Sequence, residues 1–128
     1  MAEMSDYLEN AVLNHSLGTS DIGAFVTQMY LSLHTGDPTD DDGVEVSGGS
    51  YVRKAISFAS ASGTSGAVAS TDAQSFTGMP AVTVTHIGIH DASSTGNMMY
   101  HTAVDTSKAV LAGDTISVAI GAVTVTLA

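Results

Sequence analysis

A chain of 128 residues and 12.9 kDa is large enough for one domain with its own core, so folding requires neither disulfides nor a structural metal. Thirteen carboxylates against Arg53, Lys54 and Lys108 leave a net charge of -10, which repels a phosphate backbone and excludes nucleic acid as a partner. With no cysteine there is no thiol chemistry, and no run approaches the roughly 20 apolar residues that span a bilayer, so no membrane partner is expected.

The opening "MAEMSDYLEN" is acidic and has no continuous apolar stretch, so a signal peptide is not expected. The spacing predicts one helix over residues 5–17, with Ser5 as N-cap, Asp6 and Glu9 favouring its N-terminus and Gly18 stopping it. Leu8, Ala11, Val12 and His15 fall on one stripe with Leu13 and Leu17 beside it. Alone such a short helix is marginal, so Leu8, Val12 and Leu17 are the candidate docking residues, seated on the sheet edge or on a neighbouring subunit.

After the helix, the pattern is strand and turn. "FVTQMYLSL" places Phe25, Met29, Leu31 and Leu33 on one face, and "VRKAISF" does the same with Val52, Ile56 and Phe58. A weaker strand follows, roughly Val68 to Phe76. In "AVTVTHIGIHD" the apolar alternation changes phase between Val84 and Ile87, which predicts a β-bulge near His86. "DASSTGN" then turns the chain into "MMYHTAV". At the end, Ile116, Val118 and Ile120 alternate, then Val123, Val125 and Leu127, and Gly121-Ala122 between them predicts a tight hairpin or one bulged strand. About seven short strands at regular spacing predict a mainly β fold, an antiparallel β-sandwich forming a single domain over 1–128.

The stretch "HTGDPTDDDGVEVSGGSY" invites a calcium reading, and spacing rejects an EF-type loop. With Gly43 at position 6, Asp42 and Asp40 fit, but position 1 is Pro38 and position 12 is Gly49. A solvated turn accounts for it instead: Pro38 fixes φ, and Asp37 and Asp40 suit Asx turns. His86 and His90 share a face but stand about 13 Å apart, too far to chelate one ion. His90 and His101 are candidates to pair across the hairpin, with Asp91 near. There is no GxSxG elbow, phosphate loop, HExxH or cysteine nucleophile, so no catalytic, metal or cofactor-binding residue is assigned.

Four blocks, "SDYLENAVLNHSLG", "YLSLHTGDPTDDDGVEVSGGSYVRKAISF", "VTHIGIHDASSTGNMMYHTAV" and "GDTISVAIGAVTVTLA", resemble successive blocks of a family of small tailed-phage virion proteins commonly labelled tail fibre proteins. The likeness runs in order along nearly the whole chain. Family members have a "DP"-containing connection followed by "EVSGG.Y.R", here Glu45 to Arg53; "DDD" and the low basic count are departures. The resemblance implies no catalytic or metal residues and no cofactor. It implies a non-enzymatic structural protein on the outer surface of a tailed bacteriophage particle, assembled in the host bacterial cytoplasm. Because a domain of this size without a shaft cannot itself form a long fibre, the most concrete expectation is a capsid decoration or cement protein. The alternatives are a tail fibre or tail-associated protein, or a glycan-binding adhesion module. The expected partners are the major capsid protein or tail proteins, together with further copies of the chain.

Overall fold

The computed structural model describes residues 3–20, 27–39, 43–61 and 66–127. In chain order the elements are β1 (Glu3–Met4), α1 (Asp6–Ser16), β2 (Met29–His34), β3 (Lys54–Ile56), β4 (Ala67–Ala69), β5 (Gln74–Phe76), β6 (Val82–His90), β7 (Met98–Val110), β8 (Ile116–Val118) and β9 (Thr124–Thr126). The expectation of a mainly β, antiparallel fold with one N-terminal helix holds, with nine strands among the described residues rather than about seven. One extra strand is β1. The other arises because the segment from Val68 to Phe76 is two strands separated by a turn, each joining a different ribbon.

An antiparallel sheet of order β1-β7-β6-β2-β3 forms one layer, and the ribbons β4-β9 and β5-β8 lie over one of its faces. Period-two alternation sends Leu31 and Leu33 of β2 and Ile87 and Ile89 of β6 to that face. There they meet Phe76, Met79, Val123 and Val125 in one apolar core, with Ile56 and Val46 at its side. Phe76 is 1% exposed and stacks on Tyr51 at 5.9 Å between ring centroids.

The predicted bulge lies in the β6–β7 ladder. Val84 faces Lys108 but His86 faces Ala103, so the four residues 104–107 stand opposite Thr85 alone. The surplus length is in β7, whose alternation is too weak to show it. Two apolar expectations differ from the structure. Val52 is 57% exposed, because the strand begins only at Lys54 and the chain before it runs out from a turn. The expected C-terminal hairpin keeps its turn, with Ala122 N–H donating to the Ala119 carbonyl and Gly121 at φ 77°, but its arms part to pair with β5 and β4 instead of each other. Phe25 lies outside the described residues, as do Asp40, Asp41 and Asp42.

Helix α1 begins as its sequence predicts: the Ser5 side chain accepts the Leu8 N–H at 3.3 Å and donates to the Met98 carbonyl, which fixes the helix start to β7. Gly18 closes it at φ 74°, a left-handed conformation that glycine adopts without strain.

Candidate functional site

The second face of the sheet is polar, and it carries the most organised side-chain chemistry among the described residues. Its first part grows from the segment Glu45–Arg53. Gly48 and Gly49 reverse the chain at φ 105° and 55°, and a Cβ on Gly49 would lie 2.4 Å from the Gly78 carbonyl oxygen, so glycine is required there. The reversal brings Glu45 against Tyr51 and Arg53. Arg53 grips the Glu45 carboxylate with Nε and Nη2, both at 2.8 Å, and Tyr51 Oη donates to the same carboxylate at 2.8 Å. Tyr51 Oη also accepts the Leu33 N–H at 3.0 Å. The remaining Arg53 nitrogen, Nη1, donates to the carbonyls of Ala92 at 3.1 Å and Thr95 at 2.8 Å. One guanidinium thus ties the 45–53 segment to the β6–β7 connection. Burial raises the Glu45 carboxyl, but the hydrogen bonds from Arg53 and Tyr51 and the Arg53 charge outweigh it and hold the group below its ordinary value. The Tyr51 phenol is pushed well above its ordinary value, first by burial and then by the adjoining Glu45 carboxylate.

Histidines form the second part. Antiparallel register puts His34 opposite His86, Ser32 opposite Gly88 and Gly88 opposite His101, so His34, His86, His90 and His101, four of the chain's five histidines, lie on this face. The expected pairing of His90 with His101 does not occur, because His90 is in register with Met98 and His101 with Gly88. His90 instead lies over His34, rings parallel within 10° and centroids 6.1 Å apart. Ser32 Oγ joins them, 2.9 Å from His34 Nε2 and 3.0 Å from His90 Nδ1. His34 Nδ1 donates to the Gly43 carbonyl at 2.9 Å, and His101 Nδ1 stands 3.9 Å from Asp37 Oδ1. Gly88 makes room for the imidazoles: a Cβ there would meet Ser32 Oγ at 2.8 Å and His34 Nε2 at 3.0 Å.

A hydroxyl 2.9 Å from an imidazole has the spacing of a nucleophile and its base. Ser32, His34 and His90 are nonetheless all 0% exposed, and His34 is braced by a backbone carbonyl, so this pair presents no nucleophile to a substrate. Among the described residues no group of three or more His, Asp or Glu side chains is arranged to hold a metal ion. In the acidic stretch, the Thr39 N–H closes on Asp37 Oδ1 at 2.9 Å, the Asx turn expected there, while Pro38 is buried against the domain.

The candidate docking residues separate. Leu8 is buried at 3% exposure, lining an apolar cavity of about 220 Å³ with Phe58, Met99, Tyr100 and Val125. Val12 and Leu17 are exposed, as are Tyr7 and Leu13. A larger open cleft of about 480 Å³ runs between β7 and residues 116–124, floored by Leu33, Val84, Ile87 and Ile89.

Sequence reasoning missed Ser32, His34 and the role of Tyr51. The usable signal was the chain's single arginine, Arg53, eight residues from Glu45 across a Gly-Gly reversal. The family described as podophage GP4 fiber I protein gp80 matches residues 3–126. None of the curated proteins matches the chain.

Proposed function

Because this chain belongs to the gp80 family of podophage GP4 fiber I proteins, we propose that it is a non-enzymatic structural subunit of a phage tail fibre, built into the particle as repeated copies. The observation that carries this reading is the extent of the family match, residues 3–126, which takes in the helix, both ribbons and the sheet. The match favours the tail-fibre alternative over capsid decoration, the expectation from size alone. In this reading the chain extends the fibre by contact between copies. We assign the outer side of α1, Val12 and Leu17, to such contacts, while Leu8 fastens the helix to its own sheet. A network like that of Glu45, Tyr51 and Arg53 supports the reading by holding the surface connections in one shape, which a load-transmitting subunit needs.

Localisation on intact particles tests the proposal. A particle reconstruction or gold-labelled antibody should place the chain in appendages at the tail. Density spread over the capsid lattice would restore the decoration reading, and absence from purified particles would overturn both.

A further inference from the structure

We propose that the outer ridge of α1 in one copy docks in the open cleft beside β7 of the next copy, so that copies join head to tail. This deepens the reading of the chain as a repeated fibre subunit and rests on it.

On the receiving side, β1 covers β7 only at Tyr100 and His101, and no described strand lies beside residues 103–109. β8 and β9 pair with β5 and β4 instead of closing over β7, so a cleft of about 480 Å³ opens along it. Ile87, Tyr100, Val104, Ile116 and Val118 line this cleft and stay half-buried, an apolar strip that one chain does not finish covering. Lys108 faces Val84 at one end and Tyr100 faces Ile89 at the other, a run of about 16 Å along β6.

On the docking side, Glu9, Leu13 and Leu17 follow at four-residue spacing and form one ridge about 12 Å long, which the cleft accommodates. All three are exposed, Leu13 at 55%. Leu8 is turned away from this ridge and fastens the helix to its own sheet, so the ridge is available to a neighbour.

Charge selects the occupant and its direction. Two copies at -10 each repel, so contact between them is favoured where a cation of one meets a carboxylate of the other. Of the three basic side chains, Arg53 grips Glu45 and Lys54 is half-buried, whereas Lys108 is exposed on the cleft wall. With Glu9 at Lys108, Leu13 and Leu17 fall over Ile87 and toward Tyr100. The reverse direction would lay Leu17 on the Lys108 ammonium and take Glu9 past Asp105, a like charge on the same wall. Because ridge and cleft are different surfaces, each copy can use both, and this heterologous contact extends a row of copies.

The chain has no cysteine, so two introduced ones report the contact: Ser16→Cys beside the ridge and Thr106→Cys on the cleft wall, both at exposed positions. The two full-length variants, mixed at about millimolar concentration and treated with a short bifunctional thiol reagent, should give mainly the mixed product. Lys108→Glu in the Thr106→Cys copy should lower that product about tenfold, and adding Glu9→Lys to the Ser16→Cys copy should restore it. Leu13→Ser, a further exposed change, should lower it as well. Absence of a mixed product, a predominance of products joining like variants, or a yield indifferent to these changes overturns the docking. So does a Thr106→Cys chain that links, in particles, to a different protein. Localisation remains a separate measurement: copies found at the tail that give no mixed product end the docking alone, whereas a place on the capsid lattice ends the fibre reading whatever products form.

Discussion

The two faces of the central sheet hold the same strands by different means. On one, Leu31, Leu33 and Ile89 meet Phe76 and Val125 in an apolar layer whose energy follows buried apolar area and depends little on direction. On the other, Ser32, His34, His90, Glu45 and Arg53 are joined by bonds of fixed length and partner. The difference predicts how each fails. An apolar layer loses stability in proportion to the volume removed, whereas a polar layer loses little until one partner is deleted, when the groups left behind are buried and unmatched.

The largest effect should come from the apolar side. Phe76→Ala removes a ring that is 1% exposed and its stack on Tyr51, so urea denaturation should show a loss of about 3–5 kcal/mol. A loss under about 1 kcal/mol would mean that the ribbons do not close the core. Next comes Arg53→Met, expected to cost about 3 kcal/mol, because it leaves the partly buried Glu45 carboxylate with Tyr51 but without its counter-charge, and takes the Arg53 donor from the carbonyls of Ala92 and Thr95. The double variant Arg53→Met with Glu45→Gln should lose less than the sum of the two single losses, and strict additivity would show that the pair does not act as a unit.

This contrast also explains what was legible in the sequence. The apolar face follows from alternation, so Leu31, Leu33, Ile56, Ile87 and Ile89 could be placed, and even the phase change near His86 marked a real break in the ladder. The polar face has no periodic signature. His34 reads as the last residue before a loop, and only register brings it beside His90, fifty-six positions later. Glu45, Tyr51 and Arg53 were visible as a motif, but their joint role depends on a Gly-Gly reversal whose geometry the residue types permit without specifying. Val12 and Leu17 carried the same apolar signal as Leu8, and periodicity does not say which side of a helical stripe meets the sheet.

A smaller effect tests the space that the polar face needs. Gly88→Ala places a methyl 2.8 Å from Ser32 Oγ and 3.0 Å from His34 Nε2, so the imidazole layer must shift. We expect a loss of about 1–3 kcal/mol by denaturant titration, with chemical-shift changes concentrated at His34 and His90. Unchanged imidazole signals would show that the layer is looser than its distances imply.

Acid should distinguish the faces as well. The folded Glu45 carboxyl is held low, so its contribution is fully present above the ordinary carboxylate value and is lost as pH falls through the lowered one. Melting temperature should therefore decline on acidification below about pH 4.5 in the natural chain, and less steeply in Glu45→Gln. Equal slopes would remove Glu45 from the acid response.

The smallest effect on folding concerns the helix, where inner and outer residues repeat the contrast between the faces on one turn-based scale. Leu8 is 3% exposed, and Leu17 is 72% exposed. Since stability follows the apolar area withdrawn from water, Val12→Ser with Leu17→Ser should change the stability of the isolated chain by less than about 0.5 kcal/mol, while Leu8→Ala costs about 2 kcal/mol or more. If the outer side meets a neighbouring copy, the same double variant should incorporate poorly into particles despite its normal melting curve. Normal stability with normal incorporation would leave the outer stripe as ordinary exposed apolar surface; lost stability would show that Val12 and Leu17 pack within the chain. Only intact folding with weakened assembly fits a helix that holds its own sheet with one side and a neighbour with the other.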